Sequence, residues 1–197
     1  QQGLTALLSL EAAEGRAELK LSVPGRHNAR NALAAATACL AAGITLAAVV
    51  AGLGGFSGVK GRLQLRQGRA GAVVLDDTYN ANPDSVRAAI DVLAATVGRK
   101  VLVLGDMGEI GEASGQYHDE IGGYAKSQGI DRLFALGDAS QAAVRNFGEG
   151  GRHFCDIEKL LVAVNKELGP ETTVLVKGSR FMRMERVADA IATGEKD

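Results

Sequence analysis

The sequence predicts an α/β fold with a mostly parallel sheet flanked by helices. Short apolar runs of the kind that form buried strands recur through the last two thirds of the chain, and helical segments separate them. Hydrophobic residues make up 46% of the 197 residues and aromatic residues only 4%. The core is therefore built mainly from Ala, Val, Leu and Ile, which suits parallel strands buried between helices. Together these observations favour a doubly wound, Rossmann-like domain.

The start of the chain shows a different pattern and predicts a small α+β unit. Its predicted elements are strands at 4–10 and 17–23 and helices at 28–42 and 45–53. The glycine-rich run that follows does not fit the spacing of a dinucleotide-binding fingerprint, and it comes after a helix rather than a strand, so it indicates a hinge. We therefore predict two domains, residues 1–58 and 59–197.

The second domain has regular strand and helix alternation. A hairpin is predicted from 62–67 and 71–76. The apolar strands are predicted at 73–75, 101–104, 133–136, 153–155 and 173–176, and the helices at 84–96, 115–128, 139–147, 157–168 and 181–192. Asp156 is expected to cap the helix that follows it.

Polar segments follow four of the predicted strands. They span residues 76–83, 105–109, 137–138 and 177–180. Ligands of doubly wound sheets bind beyond the carboxyl ends of the strands, so these segments are expected to gather along one edge. The fold predicts this convergence, but it does not predict the chemistry.

Two carboxylates and two amides lie in the first of these segments. Asp76 and Asp77 are adjacent on a strand and should point to opposite sides, so one can face the crevice while the other is structural. Both could instead cap the following turn or helix. Asn80 and Asn82 carry amides that donate and accept, which suits a peptide or a zwitterion better than phosphate alone. Pro83 suits the first turn of a helix.

Basic residues mark two other places. Residues 57–75 include Lys60, Arg62, Arg66 and Arg69 and no acidic residue. Such charges usually belong to solvated strand faces, but Lys60 and Arg62 lie at the predicted boundary, where a guanidinium could reach a phosphate bound by a neighbouring domain. The segment 177–180 precedes the last helix and predicts an anion site, for example for a carboxylate, with a helix cap as the equal alternative.

Composition excludes several classes of function. The formal charge of −1 gives no reason to expect nucleic acid or a membrane surface as a partner. No apolar stretch is long enough to span a bilayer, and no signal peptide is expected. His27, His118 and His153 lack metal-ligand spacing, so no metal site is predicted, and His118 is expected to be a surface or packing residue. Cys39 and Cys155 are expected to be buried thiols, which indicates a reducing cytoplasm.

Several strings, in order along the chain, resemble the Mur ligase family of ATP-dependent peptide ligases. Residues 24–35 (PGRHNARNALAA) look like the motif that closes the central ATPase domain, and 61–64 (GRLQ) like the arginine motif that opens the C-terminal domain. Residues 76–83 (DDTYNANP), 103–109 (VLGDMGE) and 175–180 (LVKGSR) are similar to the branch that adds D-alanyl-D-alanine. The resemblance runs from about residue 20 to 192.

The resemblance implies a ligase of peptidoglycan synthesis that uses ATP and Mg²⁺. ATP phosphorylates the terminal carboxylate of UDP-N-acetylmuramoyl-tripeptide, the amine of D-alanyl-D-alanine attacks the acyl phosphate, and ADP and phosphate leave. Asn28 and Asn31 then fall where the family contacts adenine, with His27 beside them. Arg62 and Asp77 are the implied catalytic residues, the first reaching the ATP phosphates and the second holding the nucleotide through its ribose. The residues implied on the D-alanyl-D-alanine side are Asn80, Asn82, Lys177, Ser179 and Arg180.

The same resemblance also implies which parts of the family's enzymes are missing from this chain. It begins at Gln1, its first Met is Met107, and it contains no Gly-Lys dipeptide and hence no Walker A loop. The family's P-loop, magnesium ligands, carbamylated lysine and UDP-binding domain are therefore expected upstream. We expect the chain to be a monomeric, cytoplasmic part of the ligase that is inactive alone and closes over ATP as a lid. The alternatives are another Mur-type or folylpolyglutamate ligase, a nicotinamide-dependent oxidoreductase, and a non-catalytic Rossmann-like binding module.

Overall fold

The structure is a computed structural model that describes residues 4–194. The chain divides into two units, Gln1–Gly58 and Val59–Asp197. Each unit has its own hydrophobic core.

The first unit packs a hairpin against two helices. Its elements are β1 (Ala6–Ala12), β2 (Gly15–Leu21), α1 (Arg26–Ala41) and α2 (Leu46–Gly54). The strands are antiparallel and pair Leu8 with Leu19. Thr45 caps α2 by accepting a hydrogen bond from the amide of Ala48. Both strands lie two residues closer to the turn than predicted: 6–12 instead of 4–10, and 15–21 instead of 17–23. The turn between them is tight, since Ala12 pairs directly with Gly15.

The second unit is built on a six-stranded sheet. Its strands are β3 (Gln64–Gln67), β4 (Val73–Asp77), β5 (Arg99–Gly105), β6 (Arg132–Leu136), β7 (Gly151–Phe154) and β8 (Thr172–Lys177). Their order across the sheet is β3-β4-β8-β5-β6-β7. The β3–β4 pair is antiparallel, and all other neighbouring pairs are parallel. This architecture confirms the predicted fold class.

Helices cover both faces of this sheet. They are α3 (Pro83–Ala94), α4 (Ser114–Ser127), α5 (Gln141–Phe147), α6 (Ile157–Asn165) and α7 (Glu185–Ile191). Val101 and Val103 pack with residues of α6 and α7. The alternating Leu102 and Leu104 are also fully buried and point to the opposite face, since successive side chains of a strand alternate. On that opposite face, α4 packs against both α3 and α5.

Two predictions about local structure are wrong. The last helix does not run unbroken over 181–192, because Arg183 adopts a left-handed conformation (φ 51°) between a 3-10 turn, Arg180–Met182, and α7. This break places Met184 in the core, where it is fully buried. Cys155 is exposed rather than buried, because it follows the last residue of β7, where the chain leaves the sheet. Cys39 is partly buried.

The remaining helix predictions agree with the structure to within a few residues. Asp156 caps α6 as predicted, accepting a hydrogen bond from the Lys159 amide at 2.9 Å. Pro83 is the first residue of α3. Among residues 4–194, no helix combines the length and the apolar character needed to cross a bilayer.

The closest helix contact gives a stability prediction. A Cβ atom added at Gly122 of α4 would lie 1.9 Å from the carbonyl oxygen of Ala143 in α5, so the two backbones would have to separate. We expect Gly122→Ala to lower the free energy of unfolding by about 1–3 kcal/mol, measured by urea denaturation. Gly115→Ala is the matched control on the same helix, because nothing lies within 4 Å of its added Cβ. Equal unfolding midpoints for the two variants would contradict the packing described here.

Candidate functional site

The carboxyl ends of β4, β8 and β5 bring three of the predicted site segments together. Strands β4, β8 and β5 are neighbours in the sheet, and each is followed by a polar loop. We call residues 78–82 the β4 loop, 106–113 the β5 loop and 178–184 the β8 loop. Because parallel strands end at the same edge, these loops form one surface, as expected for a doubly wound sheet.

The two adjacent aspartates have separate environments, as their alternation along β4 predicts. Asp76 is fully buried, and its Oδ1 accepts hydrogen bonds from the amide and the hydroxyl of Thr78, at 3.3 and 2.7 Å. Its Oδ2 lies 3.2 Å from the Arg66 guanidinium, which also reaches Asp189 of α7 at 2.6 Å. Asp76 therefore holds the start of the β4 loop and joins it to two other elements.

The surroundings of Arg66 keep its guanidinium protonated. Burial alone lowers the pKa of its guanidinium, but the hydrogen bond and charge of Asp189, followed by those of Asp76, outweigh burial and raise the pKa above its ordinary value. Arg66 is thus a permanent cation committed to two carboxylates.

Asp77 forms the central ion pair of the site. Its Oδ2 lies 2.6 Å from the Lys177 ammonium, and its Oδ1 accepts a hydrogen bond from the Leu63 amide at 3.1 Å. The Lys177 side chain is only 3% exposed and also donates to the carbonyl of Asn80 at 2.9 Å. The pair connects the end of β4 with the end of β8 and, through Asn80, fixes the path of the β4 loop.

Ser179 links all three loops. Its hydroxyl donates to the carbonyl of Ala81 at 3.1 Å and accepts from the amide of Gly108 at 2.7 Å. Its own amide donates to the carbonyl of Asp106 at 3.0 Å. The residue is buried, so the hydroxyl predicted to line the substrate site is engaged in holding the loops together.

The other residues predicted on the substrate side take different positions. Asn80 is exposed, and its Oδ1 accepts a hydrogen bond from the Ala81 amide. Asn82 forms a capping box with Ser85 at the start of α3, a role that the sequence suggested for Asp76 and Asp77 instead. Arg180 is exposed and forms a 3.1 Å ion pair with Glu185.

Two residues of this network were missed as site residues. Asp106 accepts hydrogen bonds from the amides of Ala139 and Ser140, at 3.2 and 2.8 Å, and so attaches the segment after β6 to the β5 loop. His118 is fully buried in α4. Its Nε2 accepts from the Met107 amide at 2.9 Å, and its Nδ1 donates to the carbonyl of Ser114 at 2.7 Å. Its packing role was anticipated, but the loop contact is long-range and has no sequence signal.

Arg62 lies on the turn that precedes β3, next to the central ion pair. Its guanidinium carbon lies 4.2 Å from the centre of the Tyr79 ring, and the following residue, Leu63, donates its amide to Asp77. The structure therefore brings Arg62 and Asp77, the two predicted catalytic residues, into one region together with Lys177.

The predicted adenine residues belong to the first unit. His27, Asn28 and Asn31 lie in the first turns of α1. Asn28 is half-buried and donates from its amide nitrogen to the carbonyl of Pro24 at 2.7 Å, and Asn31 is exposed.

An open cavity of about 470 Å³ adjoins the site in the second unit. It lies between the β4 and β5 loops and is lined by Asn82, Pro83, Asp84, Glu109, Ile110 and Tyr117. Its volume falls in the range of small-molecule sites. Within residues 4–194, no three His, Cys, Asp or Glu side chains are grouped so that they could hold a metal ion.

Known proteins are similar to this chain in both sequence and fold. The model of the family described as "Mur ligase, glutamate ligase domain" matches residues 61–180. The UDP-N-acetylmuramoyl-tripeptide–D-alanyl-D-alanine ligase of Escherichia coli (strain K12) is 42% identical over 185 residues, which cover 93% of this chain and 41% of that protein. The chain therefore spans about two fifths of the length of this relative.

Solved structures agree with the sequence comparison. A crystal structure of MurF from Acinetobacter baumannii superposes with a TM-score of 0.86 at 36% identity, covering 95% of this chain and 43% of that one. The MurF ligase from Thermotoga maritima in complex with ADP gives a TM-score of 0.83 at 26% identity, covering 96% and 43%. Because the family model covers more than half of the residues, the chain belongs to the Mur ligase family.

Proposed function

We propose that this chain is part of an ATP-dependent amide ligase that adds D-alanyl-D-alanine to UDP-N-acetylmuramoyl-tripeptide in peptidoglycan synthesis. The observation that carries the proposal is the joined set of β4, β5 and β8 loops around the Asp77–Lys177 pair. These loops bear the strings that resemble the D-alanyl-D-alanine branch, in a chain 42% identical to a relative named for that reaction.

The chemistry requires an activated carboxylate and a positioned amine. A free carboxylate is a poor electrophile, and ATP, when bound, supplies the phosphoryl group that turns it into an acyl phosphate. The remaining work is orientation of the reactants and stabilisation of charge. Charged and amide groups around the three loops, with their mutual distances set by buried contacts, suit this work.

The residues on the nucleotide side fit a phosphate and a ribose. The Arg62 guanidinium is exposed, and among residues 4–194 no carboxylate lies within 4.0 Å of it, so its donors are available to phosphate oxygens. Asp77 has free acceptor capacity beyond its bonds to Leu63 and Lys177, because a carboxylate accepts up to about four hydrogen bonds. We propose that it takes a ribose hydroxyl.

On the amine side, exposed and buried residues have different proposed roles. The amide of Asn80 and the guanidinium of Arg180 are exposed and can contact D-alanyl-D-alanine directly. Lys177 and Ser179 are buried and bonded within the loops, so they contribute by holding these loops in place. Asn82 shapes the cavity of about 470 Å³, which has room for a dipeptide.

The rest of the assignment concerns the whole ligase. Residues 1–58 are proposed as the end of the central ATPase domain, with His27, Asn28 and Asn31 at the adenine, and residues 59–197 as the C-terminal domain. The ligands of Mg²⁺ are proposed to lie outside the residues described, which hold no metal-binding group of side chains. We further propose that the ligase is a monomer and acts in the cytoplasm, where ATP is available.

The direct test uses D-alanyl-D-alanine, the substrate whose amine accepts the acyl group. In the complete ligase, ADP release in the presence of UDP-N-acetylmuramoyl-tripeptide is expected to depend on D-alanyl-D-alanine, with L-alanyl-L-alanine and single amino acids inactive. A coupled assay of ADP release measures this dependence. Release driven by another amino acid instead would show that the chain belongs to a different branch of the family.

A local test uses ¹H–¹⁵N NMR spectra of the 197-residue chain itself. Titration with D-alanyl-D-alanine is expected to shift the amide signals of residues 77–83 and 177–180, because these segments form the proposed acceptor side. Titration with L-alanyl-L-alanine serves as the control for non-specific effects. Shifts confined to the first unit would contradict the location of the acceptor site.

Variants of the central ion pair separate stability from function. Lys177→Met leaves Asp77 without its cation, and we expect urea denaturation to show a loss of about 3–5 kcal/mol in the free energy of unfolding. The double variant Lys177→Met with Asp77→Leu should regain much of that stability, because no unpaired charge remains, yet ADP release should stay lost. Arg180→Met breaks an exposed pair and should change stability by at most about 1 kcal/mol. A double variant with normal activity would remove Asp77 and Lys177 from the mechanism.

A further inference from the structure

The turn that carries Arg62 is fixed to the β4 loop through its backbone. The Arg62 amide donates to the carbonyl of Val59 at 3.0 Å, and Gly61 supplies the positive φ of 73° that this turn needs. The Tyr79 amide donates to the carbonyl of Gly61 at 3.0 Å. A Cβ atom at Gly61 would lie 3.2 Å from the same Tyr79 nitrogen, so the two segments are in direct contact.

The residue after Arg62 is held in an unusual conformation. Leu63 has a φ of 51° although it is not glycine, and its side chain is buried. Such a conformation persists only where its surroundings determine it. Here the Asp77 carboxylate accepts the Leu63 amide at 3.1 Å, so the backbone on both sides of Arg62 is anchored to the end of β4 and its loop.

The side chain of Arg62 is held by an aromatic ring rather than by an acid. Its guanidinium carbon lies 4.2 Å from the centre of the Tyr79 ring, which is half exposed. A guanidinium held over a ring is positioned without a hydrogen bond, so its N–H donors stay available to another partner.

The neighbouring cations differ from Arg62 in this respect. Arg66 is paired with Asp76 and Asp189, Lys177 with Asp77, and Arg180 with Glu185. Arg62 is thus ordered by the Tyr79 ring and is not neutralised by a carboxylate of residues 4–194. Order without neutralisation is the arrangement that a phosphate-binding arginine needs.

We infer that Tyr79 is a positioning residue, whose ring holds the Arg62 guanidinium in the orientation that receives a nucleotide phosphate. This inference rests on the proposed function, in which Arg62 contacts the phosphates of ATP. The ring face does the positioning, so Phe should replace Tyr at this position and an aliphatic residue should not.

The arrangement is tested first without ligand, by the Nε–Hε signals of arginine in ¹H–¹⁵N spectra of the chain. Arg62→Lys identifies the Arg62 signal. Protons above a ring face are shielded, so Tyr79→Leu is expected to move that signal downfield, and Tyr79→Phe to leave it in place. Tyr124→Leu is the matched control, because it removes the stack on Arg87, whose guanidinium carbon lies 5.1 Å from the Tyr124 ring centre. If the chemical shift of the Arg62 signal is the same in Tyr79→Leu as in the wild type, the inference is overturned.

The second measurement asks whether the orientation matters for phosphate binding. In the complete ligase, Tyr79→Leu is expected to raise the KM for ATP about two- to fivefold, the factor that corresponds to one exposed cation–π contact. Tyr79→Phe and Tyr124→Leu should keep the wild-type KM. A merely structural role would instead lower the thermal midpoint of unfolding and reduce activity without changing the KM for ATP.

The outcomes separate this inference from the function on which it rests. If Arg62→Met leaves the KM for ATP unchanged, Arg62 does not contact the phosphates, and the proposed nucleotide side falls together with the role of Tyr79. If Arg62→Met raises the KM but Tyr79→Leu does not, the proposed function stands and the positioning role is overturned.

Discussion

The structure of the candidate site depends on the ion pair between Asp77 and Lys177. Both side chains are largely removed from solvent, so each charge needs the other. The same two groups also bond the Leu63 amide and the Asn80 carbonyl. One contact thereby sets the relative positions of the turn with Arg62, the β4 loop and the end of β8.

Further contacts join the loops into a single surface. Ser179 joins the β4 and β5 loops, His118 holds Met107, and Asp106 binds the amides after β6. Glycine permits close approaches between loops: a Cβ atom at Gly108 of the β5 loop would lie 2.6 Å from the Phe181 ring of the β8 loop. Exposed groups such as Arg62 and Asn80 are therefore presented by a framework that is held together by its own buried contacts, and this leaves them for substrates.

Much of this arrangement was predictable from the sequence. The repeated apolar strands predicted the parallel sheet, and its topology predicted that four polar segments would meet at one edge. The alternation of side chains along β4 predicted that Asp76 and Asp77 would face different environments. The roles of Lys177 and Ser179 were harder to predict, because both were expected at the substrate and both lie buried in contacts with residues about 100 positions away in the sequence.

The sequence by itself determined the fold class, the order of the elements and the family, because apolar periodicity, turn residues and short motifs are local properties of the chain. Only the tertiary structure decided which polar groups are used up inside the protein and which remain exposed. Hydrogen bonds and ion pairs form between distant segments, so the burial of Lys177, the capping by Asn82 and the stack of Arg62 on Tyr79 depend on how the sheet brings its strand ends together.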